Sequence, residues 1–160
     1  MHEWDEIQVQ RACAADLPAL ESILRETFAS TWLPHLTDEA AASYREGGRP
    51  STYVGERGLL FWVARQRDQI LGFVDYDCDF VNALHVRPSH ARIGVGNCLM
   101  DKAETEIGNA GFAVVRLETD TFNSRSRAFY AARGYREVDR YPDEEWNSGL
   151  TTLLLEKAIT

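Results

Sequence analysis

The clearest chemical opportunity in the chain lies in the run Leu84-His85-Val86-Arg87-Pro88-Ser89-His90-Ala91-Arg92-Ile93-Gly94-Val95-Gly96-Asn97. An apolar run closes at Pro88, which cannot donate to a strand ladder. A helix-period stripe starts just past Gly94. The first turn of a helix presents unpaired N–H groups and the positive end of its dipole, so it receives anions. Gly94 and Gly96 would let the backbone approach a phosphate that a Cβ would obstruct, and Arg92 would add positive charge. Two other phosphate loops are excluded. No GxxxxGK[ST] string occurs, and Gly94-Val95-Gly96 runs on into Asn97-Cys98-Leu99 without completing GxGxxG. Taken alone, the segment also fits an ordinary strand–helix turn.

A second run, Asn123-Ser124-Arg125-Ser126-Arg127-Ala128-Phe129-Tyr130-Ala131-Ala132-Arg133-Gly134-Tyr135, reads as a short helix. Asn123 or Ser124 would cap it, Phe129 would bury its ring, and Gly134 would take the left-handed stop. By itself Asn123 could be only a cap and Tyr130 only a packing aromatic.

Together the two runs resemble the GCN5-related N-acetyltransferase (GNAT) family. Ala91 to Gly96 take the six places of its motif [QR]xxGx[GA], with Ala91 departing from the usual Gln or Arg. Asn123, Ser126, Phe129, Tyr130, Gly134 and Tyr135 take every spaced position of its second motif. The resemblance implies a GNAT-like α+β fold, a mixed α/β sheet of six to seven strands with about four helices, splayed between the fourth and fifth strands. It implies acetyl-CoA as cofactor, held by Leu84, Val86, Ala91, Arg92, Ile93, Gly94, Val95, Gly96 and Asn97, with Asn123, Ser126, Phe129 and Tyr130 along the pantetheine arm.

The implied activity is direct attack of a primary amine of a small molecule or peptide on the thioester, through a tetrahedral intermediate. Tyr130 would protonate the departing thiolate. The backbone N–H of Val86 would stabilise the oxyanion, with a bulge near that end of the strand opening the slot. Base candidates are Glu118, His85, Asp77 and Asp79, of which His85 has the most suitable ordinary pKa. The acceptor pocket is expected from Phe28, Thr31, Trp32 and His35 together with the loop Tyr141–Trp146, where Asp143, Glu144 and Glu145 could hold a cationic amine. Trp32 and Trp146 could wall that pocket. Two alternatives stand beside this activity: a CoA-binding regulatory module without turnover, and acetylation of protein N-termini. A homodimer is expected from the family.

These residues must be positioned by a mixed set of elements. Ile7–Arg11 alternates as a strand. Asp16 offers an N-cap to a helix carrying Leu20, Ile23, Leu24 and Phe28. A second short helix starts at Thr37, with Asp38 and Glu39 at its positive dipole end, and stops at Gly47, Gly48 and Pro50. Leu59–Arg65, Ile70–Tyr76 and Phe80–Val86 follow at close spacing, an antiparallel meander. Val95, Leu99, Ala103 and Ile107 stripe a helix closed by Gly108 or Gly111. The next strand, Phe112–Asp120, completes a βαβ unit and therefore pairs in parallel through a right-handed crossover. Tyr135–Asp139 and Thr151–Ala158 are the last strands.

Bulk properties bound the reading. The 160 residues suit one domain, 1–160, with 44 % hydrophobic and 26 % charged residues. A net charge of −8 and the lack of a basic run argue against nucleic acid and anionic membranes as partners. The acidic start and the absence of a long apolar run give no signal peptide or membrane span, so a cytoplasmic location is expected. Cys13, Cys78 and Cys98 are isolated, and His2, His35, His85 and His90 lack ligand spacing, so no metal site is predicted.

Overall fold

The computed structural model describes residues 6–46, 48–90, 93–143 and 149–159. Its elements in chain order are β1 (Gln8–Arg11), α1 (Leu17–Thr27), α2 (Asp38–Glu46), α3 (Arg49–Arg57), β2 (Trp62–Gln66), β3 (Gln69–Asp77), β4 (Phe80–Val86), α4 (Val95–Asn109), β5 (Val114–Asp120), α5 (Ser124–Ala132), β6 (Arg136–Pro142) and β7 (Thr151–Ala158). The strands form one seven-stranded sheet in the order β1-β2-β3-β4-β5-β7-β6. All neighbours are antiparallel except β4 and β5, the pair that the βαβ crossover through α4 obliges to be parallel. The expected α+β architecture therefore holds, with five α-helices among the described residues.

The additional helix is α3. The signals that end α2 also begin α3: Gly48 adopts φ +60° as its N-cap, and Pro50 occupies the first turn. A missing N–H costs nothing there, and the fixed φ of proline suits a helix start. Two smaller differences follow from local geometry. Leu59 and Leu60 lie in a 3-10 turn before β2 and are exposed, so the strand starts at Trp62. Asp16 precedes α1 but gives it no side-chain cap. Its carboxylate accepts from the Cys13 N–H at 2.9 Å and from Arg65 at 2.7 Å.

Two apolar clusters cover the two faces of the sheet. The predicted stripe of α4, with Val95, Leu99, Ala103 and Ile107 buried, packs with Met100 against Leu71, Val74, Val81, Val115 and Leu117. Opposite, Leu20, Ile23 and Leu24 of α1 and Val54 of α3 meet Phe61, Val63 and Phe73. Period 3.6 on the helices and alternation on the strands thus place α4 and α1 on opposite sides of β3 and β4. Among the described residues no helix is long and apolar enough to cross a membrane.

The feature that matters for a site is where β4 leaves β5. Their register covers Phe80↔Arg116 and Val81↔Leu117 and goes no further, although both strands continue. The break coincides with a bulge, since Asp75 pairs with Ala83 and Tyr76 with Val81, leaving Asn82 extra. The bulge was expected near Val86; it lies at Asn82 instead, because that is where a buried partner holds it. Asp75, fully buried on β3, accepts from Asn82 Nδ2 at 3.2 Å, from Tyr53 Oη at 2.6 Å and from Arg57 at 2.8 and 2.9 Å. The carboxylate ties α3 to the bulge.

Removing one partner of a buried ion pair leaves the other charge without compensation. Asp75→Ala should therefore lower the unfolding free energy by about 3 kcal/mol in urea titrations. A loss below about 1 kcal/mol would show that the cluster does not hold α3 in place.

Candidate active site

β3 and β4 alternate between hydrogen-bonded and open pairs, as antiparallel strands must. Arg87 N donates to Leu71 O at 2.7 Å, so the adjacent pair Gly72↔Val86 is an open one. The Val86 N–H therefore points away from β3, toward the side that β5 has left. Gly72 allows this close approach: a Cβ there would lie 2.5 Å from the His85 carbonyl oxygen and 3.1 Å from Val86 Cα. Leu84 and Val86 pack their half-buried side chains on the α4 cluster.

Beyond β4, Gly94 takes φ +91° as N-cap of α4, with nothing within 4 Å of a Cβ placed on it. The N–H groups of Val95, Gly96 and Asn97 form the first turn of this helix, whose first internal bond runs from Cys98 N to Gly94 O. Ile93 is exposed beside it. At Gly96 the missing side chain also has a packing use. A Cβ there would sit 3.1 Å from Phe129 Cζ, so its missing side chain admits the Phe129 ring from α5. The Asn97 side chain is bound by Arg133 at 2.8 Å.

On α5, Asn123 is the cap: its Oδ1 accepts from Ser126 N at 3.1 Å. Ser126 Oγ lies 2.8 Å from Thr119 Oγ1 and joins the helix to β5. Tyr130 is buried between Phe129 and Tyr135 in edge-to-face contacts, and its hydroxyl bonds to none of the described residues. Burial raises its pKa, so the phenol stays protonated across the neutral range.

The four base candidates meet different fates. Asp79 is held in a double ion pair by Arg116 at 3.0 and 3.2 Å. Glu118, exposed, accepts a hydrogen bond from the Tyr141 hydroxyl. Asp77 is exposed at the end of β3. His85 sits between Phe73 and Trp32, with Thr27 Oγ1 2.8 Å from its Nδ1. Desolvation lowers its pKa to about 4.

The residues expected on the acceptor side start in the segment after α1. Phe28–Trp32 form one π-type turn, in which Phe28 stacks on Tyr44 of α2. Trp32 Nε1 donates to Asp120 Oδ2 at 2.7 Å, while its ring lies 5.8 Å from that of His85. The indole thus spans the parting, from the end of β5 to the end of β4. Burial raises the Asp120 pKa, with the Trp32 donor opposing and Asp143 and Glu118 adding to it. His35 stacks on Phe122 at 4.1 Å. Ala91, Arg92, Glu144, Glu145 and Trp146 lie outside the described residues. Asp120 and Thr27 were not among the expected site residues; the first ends its strand unremarkably, and nothing local marks the second. A cavity of about 390 Å³ lies elsewhere, lined by the other face of α5 (Ser124, Arg127, Ala131) and by Leu153 and Leu155 of β7.

Comparisons with known proteins agree with this geometry. The model of the acetyltransferase (GNAT) family matches residues 17–135. An uncharacterized N-acetyltransferase in the pepI 3′ region of Lactobacillus delbrueckii subsp. lactis is 24 % identical, covering 96 % of this chain and 98 % of its own. A GCN5-related N-acetyltransferase from Rhodopseudomonas palustris superposes with TM-score 0.77 at 18 % identity, over 94 % of each chain. The PaiA N-acetyltransferase of Thermoplasma acidophilum, solved in complex with coenzyme A, gives TM-score 0.76 at 20 % identity, over 96 % of this chain and 99 % of its own.

The lowered pKa of His85 has a sign that can be measured. Between pH 6.5 and about 4 the unfolded chain binds a proton at this residue that the folded chain does not. Its contribution to stability is therefore complete above pH 6.5 and lost as the pH falls through that window. The His85 ring protons should titrate near pH 4 by NMR, and His85→Asn should reduce the acid loss of stability. Titration near 6.5 would contradict the burial described.

Proposed function

The chain belongs to the GNAT family of acetyltransferases, and from that premise we propose that it transfers the acetyl group of acetyl-CoA to a primary amine of a small molecule or peptide. The observation that carries this reading is the Val86 N–H, freed from β3 by the ladder alternation and from β5 by the parting of the strands. A donor aimed into such an opening is placed for an oxygen that gains charge during reaction.

The residues present suit the acyl donor. Gly94 and the free N–H groups of Val95, Gly96 and Asn97 would hold its pyrophosphate by backbone contact. Ala91 and Arg92 belong to the same proposed loop. Leu84, Ile93, Asn123, Ser126 and Phe129 would line the arm. Acetyl-CoA supplies a thioester carbonyl that is open to attack by an amine.

The chain's own groups then account for the protons. Val86 N–H donates to the carbonyl oxygen as the C–N bond forms. His85 Nε2 takes the proton released by the attacking nitrogen, which is most acidic once it carries four bonds. Tyr130 gives its proton to the thiolate sulfur as the C–S bond breaks. A phenol of pKa about 10 transfers poorly to a thiolate of pKa about 8.5 in water, and desolvation raises both groups in a closed site. Glu118 and Asp79 are engaged elsewhere, and His85, beside Trp32 and Phe73, is the base this reading uses. Phe28 and Trp32 would wall the acceptor side, with Glu144 and Trp146 from the loop beyond β6. A cytoplasmic setting, where acetyl-CoA is available, and a homodimer measurable by light scattering complete the proposal.

Calorimetric titration with acetyl-CoA and CoA, followed by a thiol-release screen over amines, tests the reading. Micromolar binding with release for some amine supports it. Binding without release for any amine would favour a regulatory module, and no binding would overturn the donor site. Tyr130→Phe should lower turnover by about 10²-fold with CoA affinity nearly intact; unchanged turnover would remove Tyr130 from the mechanism.

A further inference from the structure

Thr27 ends α1 and is buried, an unusual position for a hydroxyl. Its Oγ1 lies 3.2 Å from the Leu24 carbonyl three residues back and 2.8 Å from His85 Nδ1. A hydroxyl has one proton and two acceptor pairs. Back-bonding to the carbonyl of the preceding turn is the ordinary use of a helical threonine proton. With that proton committed to Leu24 O, Oγ1 can only accept from the imidazole. The opposite arrangement would put a proton on Nε2, where among the described residues there is no acceptor.

We propose that Thr27 is a positioning residue: it holds His85 as the Nδ1–H tautomer and so keeps the Nε2 lone pair facing the opening between β4 and β5. The inference rests on the reading of His85 as the proton acceptor in acetyl transfer. Thr27 touches neither reacting group and acts through the ring. The side chains packed on the ring are Thr27 from α1, Trp32 from the π-type turn and Phe73 from β3, none of them charged. The charged groups next in sequence, Glu26 and Arg87, are paired with each other. Asp120 on β5 lies beyond the Trp32 indole. The tautomer is therefore set by one hydrogen bond and not by a neighbouring charge.

The tautomer can be read without turnover. In protein carrying ¹⁵N-histidine, two-bond proton–nitrogen correlations distinguish the protonated ring nitrogen from the bare one, and His85→Asn assigns the signal. Wild type and Thr27→Ser should show the proton on Nδ1, and Thr27→Val should move it to Nε2. Leu24 O keeps its helix bond from Phe28 N, so valine strands no carbonyl. In a wild-type enzyme that releases thiol, Thr27→Val should lower kcat about 10-fold or more with KM for both substrates little changed, and Thr27→Ser should restore it. The kcat–pH profile should also change in the valine variant and not in the serine variant. A proton on Nε2 in wild type, or a valine variant with unchanged ring and kcat, would overturn the proposal. Absence of turnover in wild type would defeat the proposed function, while the ring signals would still decide the role of Thr27.

Discussion

β4 and β5 pair at two positions and then separate, and everything that could be chemistry in this chain depends on that separation. Two strands in register satisfy each other's backbone groups; two that part leave donors and acceptors open. Such an opening persists only if something holds both sides. On one side the buried Asp75 carboxylate fastens the bulge at Asn82 and anchors α3 through Arg57 and Tyr53. On the other, β5 is fixed along its whole length by β7, with seven paired positions from Val114↔Ala158 to Asp120↔Thr152. The gap is thus built from two rigid halves.

Small residues decide how closely the parts around the gap approach. Gly72 lets the end of β4 lie against β3 with Val86 facing outward, and Gly96 admits the Phe129 ring to the first turn of α4. Of the two glycines at the start of α4, Gly94 combines a left-handed φ with open space where a side chain would be, and Gly96 does not. That division leaves the space at Gly94 open beside the first helix amides, and gives the missing Gly96 side chain a packing role that links α4 to α5.

The contacts across the gap show the same economy. A single indole reaches from His85 to Asp120 across the gap, and the turn carrying it is continuous with α1, whose last residue contacts the same histidine. A shift of the α1 end therefore moves the histidine contact and the indole together. The sheet and its crossover are those of the GNAT fold. The arrangement of Thr27, Trp32, His85 and Asp120 is set by side-chain contacts across the gap.

Much of the fold was legible in the residues. Alternation and period 3.6 placed β4 and β7 at their observed ends, the stripe of α4, and the parallel pairing that a βαβ unit requires, because these patterns report which face of an element is buried. Glycines and Pro88 marked boundaries through backbone restrictions that act locally. α3 was hidden because Gly48 and Pro50 punctuate a chain equally well when a helix stops and when one starts. The motifs around Gly94 and Tyr130 named the family, since their spacing is a property of sequence. What only the tertiary structure decided was which groups meet. The bulge lies at Asn82 because Asp75 waits there. Gly96 faces a ring from a helix that follows it in the chain. Thr27 meets His85 across a sequence separation of 58 residues. Contacts between distant segments depend on register, bulges and helix placement together, and no local pattern of residue types encodes that sum.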